Sequence, residues 1–361
     1  MIDLRIILFL IVIIAGFIFL NASDQDRAKK QYITVVLIML VLESCLRGVS
    51  IGSDTWKYRE IFSSVGNMSW NEAFKAIVDR YIYNVDDSDA GYIIFQKCVH
   101  LFSDNFNVFL FACALCFFIP FGKFLMRLDF DVRDLIFLFV FYVALFNPIA
   151  MSGTRKAIAL GISILCLMNY YDKRYARACI WLVLGASIHM SMLAILLIPA
   201  LNFLGSKPLK VIHFMMFFTI PIVLLASSTI IAGMANFVGN EHYLEYAGEV
   251  LGGGVTFIVL MEMLLFSCFA FLKRKELDEN TYIKLLYCAL PIATFFVPLI
   301  NNNGSMIRLS QYFHIYTLFF LPYIIKTHFA SNRRTIYTIA AIVLIVLCMM
   351  GSSQVDEYYF F

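Results

Sequence analysis

Charge is what this sequence has least of. Only 15% of its 361 residues are Asp, Glu, Lys or Arg and 61% are hydrophobic; the mean hydropathy is +0.81, whereas about a quarter of a soluble domain's residues are charged. A soluble core of this size cannot hide so much apolar surface, but a bilayer accepts it as helices of about 20 apolar residues each. Metal-ligand spacing is also missing. The nine cysteines, at 45, 98, 113, 116, 166, 179, 268, 288 and 348, are scattered. Even Cys113 and Cys116 lie inside a phenylalanine-rich run, so the set reads as small apolar packers and implies neither a disulfide nor a metal site. Internal repeats and low-complexity linkers are absent. No HExxH and no Walker lysine loop occurs, which leaves a nucleotide-driven pump without a motif. The first apolar segment, Ile6–Leu20, has both Asp3 and Arg5 before it and no clear small-residue cleavage site after it, so it is expected to be a retained helix rather than a leader.

What is present is a series of apolar runs, near 6–20, 32–46, 106–122, 135–151, 157–171, 211–234, 254–272, 284–300, 309–326 and 335–350. They predict an all-α polytopic integral membrane protein of about 10 transmembrane helices. Two stretches read differently. Gly91–Phe102 is short and carries Lys97 and His100, which suits an interfacial or partly buried helix. Ala178–Gly205 is long for one crossing and is expected to enter the membrane and fold back near His189; counted as spans, the two extras would raise the total to about 11–12.

Short Lys/Arg-bearing loops mark the cytoplasmic side. Asp26–Lys30, Gly122–Asp134, Asp172–Arg177, Lys273–Lys275 and Lys326–Arg334 are such loops. With the fold-back at His189, Lys207 and Lys210 also turn cytoplasmic, and the acidic loop Gly239–Glu249 turns external. The chain is then a single transmembrane domain, 1–361, with an external loop at 47–89 that holds five basic and seven acidic residues. Met151–Lys156, Asn301–Arg308 and the turn at Ile188–Ser191 fall on that same face.

Three arginines stand where an external loop meets a helix: Arg47, Arg155 and Arg308. Each has small or polar neighbours, Gly48, Gly153 with Thr154, and Gly304 with Ser305. A single arginine at a helix end commonly snorkels to lipid headgroups. Three on one face suit a lipid pyrophosphate, because the guanidinium presents a planar fork of donors and small neighbours allow phosphate to approach. In GSDTWKYREIF, Ser53 or Asp54 is a plausible helix cap, and Asp54 and Tyr58 share a face. Alternatively, the Asp54 carboxylate orients or deprotonates a sugar hydroxyl beside the rings of Trp56 and Tyr58. Gln311 and Tyr312 follow Arg308 at three and four residues and line one helical face with polar tips. His189 either bonds a neighbouring carbonyl or, as an ionisable group at membrane depth, works at a site.

These residues resemble the EpsG/Wzy-type family of bacterial exopolysaccharide and O-antigen polymerases. The resemblance is carried by RGVSIGSDTWKYREIF (Arg47–Phe62), DAGYIIFQK (Asp89–Lys97), SGTRKAIALGI (Ser152–Ile162), ASIHMSMLAIL (Ala186–Leu196) and a chain end rich in Tyr and Phe. Lys156 departs from the glutamine that the family carries after the arginine. The resemblance implies a fold like that of the GT-C-type membrane glycosyltransferases. It also implies a metal-independent polymerase without cofactors, which transfers a growing glycan from undecaprenyl pyrophosphate onto a lipid-linked repeat unit at the external, periplasmic face of the inner membrane. Asp54, His189, Arg155 and Arg308 would be catalytic, with Asp54 or His189 as base or hydroxyl orienter. Arg47, Thr55, Trp56, Tyr58, Lys156, Gln311 and Tyr312 would bind substrate. Partners would be the lipid-linked glycans, membrane lipid and a chain-length regulator, with no nucleic acid. Two alternatives stay open: a lipid-linked oligosaccharide flippase, which should show a repeated half and deep charges, and another membrane transferase on the same lipid, such as an O-antigen ligase.

Overall fold

The computed structural model describes residues 4–49, 51–52, 54–83, 89–147, 153–238, 255–302 and 305–351. The apolar runs form helices as the hydropathy predicts, because backbone polar groups in lipid must be satisfied within their own segment. In order they are α1 Leu4–Leu20, α2 Gln25–Leu46, α3 Thr55–Asn67, α4 Trp70–Val78, α5 Ala90–His100, α6 Phe106–Arg127, α7 Val132–Leu145, α8 Thr154–Tyr171, α9 Tyr175–Ile188, α10 Leu197–Asn202, α11 Ser206–Val238, α12 Val255–Phe271, α13 Arg274–Glu279, α14 Thr281–Asn302, α15 Ser305–His328 and α16 Arg333–Gly351. A π-helical turn, Asp79–Tyr83, extends α4, and a 3-10 segment, Met190–Leu196, precedes α10. No strand occurs among the described residues.

Among the described residues, four segments are long and apolar enough to cross a membrane: Phe106–Arg127, Ser206–Gly233, Thr281–Leu299 and Ala330–Met349. Several helices outrun their apolar stretch. α2 starts at Gln25 because the Asp24 side chain accepts from the Arg27 amide at 3.0 Å, so the basic DRAKK run expected as a loop forms the first turns of the helix, capped at its N-terminus. α7 starts on a capping box in which Asp131 and Asp134 each accept from the other's backbone amide.

The helices gather into two compact units, Met1–Met192 with Arg334–Phe361, and Leu193–Arg333. In the first, α6 lies between α2 and α8. Gly161 makes the α6–α8 crossing possible: a Cβ there would lie 2.7 Å from the Phe117 Cα, and small residues are what let membrane helices approach backbone to backbone. α16 is fastened by Tyr337, which stacks on Phe137 with centroids 4.6 Å apart and donates to Asp134 Oδ1 at 2.8 Å. α5 packs against α3, α4, α6 and α9 and buries Ala90, Tyr92, Gln96 and Val99. The helix is partly buried, in keeping with the expectation for this stretch.

In the second unit α14 packs on α11 and α15. His213 stacks on Tyr287 at 3.6 Å and its Nε2 bonds the Tyr287 carbonyl at 2.8 Å, while Phe296 and Phe313 stack at 5.6 Å. The acidic loop 239–249 lies outside the described residues, and the side chains of Asn301–Arg308 lie outside the described ones.

Candidate functional site

Three helix ends of the first unit converge on one carboxylate. Asp89 precedes α5, Arg155 stands in the first turn of α8, and α9 stops at Ile188, where His189 turns extended at φ −156°, ψ 106°. Arg155 Nη1 donates to Asp89 Oδ2 at 2.8 Å, and His189 Nδ1 lies 3.6 Å from the same oxygen. The side chains of Asp89, His189 and Arg155 are 14%, 20% and 34% exposed, so the cluster is shielded yet reachable. Gly91 permits this approach. A Cβ at 91 would fall 2.7 Å from the Ser187 carbonyl carbon, so α5 and the end of α9 touch through their backbones.

The Arg155 guanidinium is held from below. It sits 5.8 Å from the ring centroids of both Tyr58 and Tyr92, which meet edge-on at 6.2 Å, within cation–π range. It also bonds the Tyr58 hydroxyl. The Tyr92 hydroxyl shares a hydrogen bond with Thr154 Oγ1 at 2.8 Å. Burial keeps that phenol well above its ordinary pKa, so it acts as a neutral brace. Burial, then the Asp89 charge, also pushes the nearby Tyr81 phenol up.

This arrangement provides two chemical elements. Arg155 is a braced guanidinium with donors left to meet an anion, and a charge-assisted, forked contact suits a phosphate. Asp89 beside His189 Nδ1 is the pairing that directs the other imidazole nitrogen outward for proton transfer. The 3.6 Å separation exceeds a hydrogen bond, and catalytic contacts of this kind commonly tighten when substrate binds.

Other residues singled out from the sequence fall elsewhere. Arg47 caps the C-terminus of α2 and is buried, lining a cavity of about 20 Å³ with Ser44, Cys113, Asn147 and Thr154; that is room for about one water molecule. Glu43, one turn before Arg47, accepts from Asn147 Nδ2 at 2.8 Å. Asp54 takes the N-cap position of α3, but its side chain makes no capping bond. Trp56 is exposed, whereas Tyr58 is buried against Tyr92 and Arg155, so the two rings do not form one sugar-facing surface. Thr55 is fully buried and donates to the Ile51 carbonyl, so its hydroxyl closes a turn. Lys156 is buried. Gln311 and Tyr312 are buried within the second unit, where close packing of α14 on α15 encloses the face expected to be open. The Arg308 side chain lies outside the described residues. The letters GVSIG, Gly48–Gly52, match a nucleophile elbow, but that motif needs a strand before its serine. Here a helix precedes, and Ser50 is outside the described residues. Among the described residues no three His, Cys, Asp or Glu side chains gather as metal ligands.

Asp89 and Tyr92 were inside a quoted motif yet not singled out. Their signal was DAGY itself: an acid and a tyrosine three apart, around a glycine too small to hold helices away.

No curated protein and no solved structure matches the chain. The model of the EpsG family matches residues 30–360, a span that includes every member of the Asp89 cluster and nearly the whole sequence, and on that match this multi-pass membrane protein belongs to the EpsG family.

Proposed function

We propose that the protein is a polysaccharide polymerase that moves a growing glycan from undecaprenyl pyrophosphate onto a lipid-linked repeat unit at the external face of the inner membrane. The observation that carries this reading is the Arg155–Asp89–His189 cluster, an anion-binding guanidinium and a carboxylate-paired imidazole on one oxygen. Glycosyl transfer from a lipid pyrophosphate asks for two things, stabilisation of the negative charge that develops as the bond to phosphate breaks and removal of a proton from the attacking hydroxyl. Arg155 supplies the first, mainly electrostatically. His189, oriented by Asp89, supplies the second. Arg308 carries a phosphate role in the sequence reading alone and is tested separately. Membership in the EpsG family supports a polymerase-type membrane protein.

The test is the surface glycan ladder. Arg155→Ala and, separately, Arg308→Ala should abolish chain elongation while single repeat units still reach the cell surface. Long chains in both mutants would remove the pyrophosphate role. Total loss of surface glycan would favour a flippase or ligase instead.

A further inference from the structure

The external segment between α3 and α5 carries an apolar stripe that nothing in the first unit covers. α4 begins on a capping box, Ser69 with Glu72, and buries Ala73 towards α5. Its remaining apolar residues do not follow Ala73 inward. Phe74, Val78, Tyr81, Ile82 and Tyr83 are all exposed, Ile82 at 71% and Tyr83 at 65%. Positions 74, 78, 81 and 82 recur at helical spacing, so α4 and its π-helical extension present one continuous apolar edge. Asn71, Glu72 and Lys75 take the polar side and are exposed as well.

The position of this edge identifies what covers it. The Tyr81 hydroxyl donates to the Ser187 carbonyl at 3.4 Å, which fastens the turn to the end of α9. α9 in turn exposes Ile180, Val183 and Leu184, an aliphatic flank of the kind that faces acyl chains in a multi-pass protein. The stripe therefore continues a lipid-facing surface at the point where that surface ends. Tyrosine and phenylalanine are the residues that settle at the headgroup boundary, and Lys75 on the polar side suits anionic lipid.

We infer that α4 and the Asp79–Tyr83 turn form a membrane-dipping anchor, which lies in the outer leaflet with Phe74, Val78, Ile82 and Tyr83 among the acyl chains. The segment thus rests on the bilayer rather than standing free above it. This inference depends on the membrane assignment alone and not on the polymerase reading.

The experiment places p-benzoylphenylalanine at 82 and, separately, at 83 in the full chain, reconstituted in vesicles of phosphatidylethanolamine and phosphatidylglycerol. Val183 is the lipid-facing control and Lys57, exposed on α3, the aqueous one. After irradiation, phospholipid adducts at 82 and 83 in yields comparable with Val183, and their loss at 57, are expected. Both tested side chains are exposed, so neither substitution disturbs packing. Adducts at Val183 with none at 82 and 83, or cross-links at 82 and 83 to a second chain, would overturn the anchor.

Discussion

The two units bury polar side chains in different ways. In the second, several buried hydroxyls serve their own helices: Ser227 bonds the Leu224 carbonyl, Thr294 that of Leu290 and Thr317 that of His314, each within one turn, while Ser206 with Asp278 and Lys210 with the Leu272 carbonyl tie segments together in pairs. His213 spends its Nε2 on a backbone carbonyl and its ring on Tyr287. Such bonds satisfy a buried donor where it stands and join at most two neighbouring helices. In the first unit the partners come from distant parts of the chain: Asp89 with Arg155, Arg155 with Tyr58, Tyr92 with Thr154, Glu43 with Asn147. Holding such groups together requires α2, α3, α5 and α8 all to be in place. Local bonding is what a stable helix needs anyway; a network drawn from several distant helices is more than stability alone asks for, and it is the observation behind the proposed site.

That contrast can be broken by mutation. Asp89→Asn keeps the shape but removes the charge that both Arg155 and His189 face, and chain elongation should fall roughly 10²–10³-fold with the amount of folded protein unchanged; a normal glycan ladder would reduce Asp89 to a helix-end residue. His189→Gln should cost roughly 10²-fold in elongation, measured as repeat units added per unit time, and near-normal rates would move the base elsewhere. Gln311 tests the other side of the comparison. It is buried in the second unit and neither amide atom has a hydrogen-bond partner, so Gln311→Leu should raise stability by about 1 kcal/mol, read from thermal unfolding in detergent. If it instead abolishes elongation in a folded protein, the second unit holds a working residue of its own. The smallest effect is expected at Asp54. Asp54→Asn keeps the size and shape of the side chain at a helix end and should change stability by less than about 1 kcal/mol. A large loss of elongation there would restore Asp54 as the catalytic carboxylate.

Much of the helical framework was legible in the sequence, because apolar runs in lipid have few alternatives to a helix. The exceptions were polar. The DRAKK run became the start of α2 through the Asp24 cap, which hydropathy does not register. Arg155 and His189 stood out as ionisable groups at membrane helix ends, and both lie in the cluster. Asp89 did not stand out. It follows Asp86 and Asp87 in an acid-rich stretch, and only its distance to Arg155 distinguishes it from them. Thr55, Gln311 and Tyr312 show the reverse: each stood out by its spacing and is buried. Helical spacing puts residues on one face but does not say whether that face is open, and in a membrane protein, where the outside is apolar, a polar row is as often turned into the packed interior. The break at His189 fell where a long apolar run met an ionisable residue and could be anticipated. Glu43 and Asn147 are too far apart in sequence for any local pattern to join them.

Gly91 gives the cluster an unusual kind of rigidity. Between the helix that follows Asp89 and the helix that ends at His189 there is no room for a Cβ at 91, which would meet the Ser187 side chain and, 2.7 Å away, its carbonyl carbon. A larger residue at 91 therefore has to wedge the helices apart. Under the proposed polymerase reading, the cluster is held at a fixed spacing, and adaptation to a different sugar falls to residues such as the exposed Trp56, which can change without moving Asp89, Arg155 or His189.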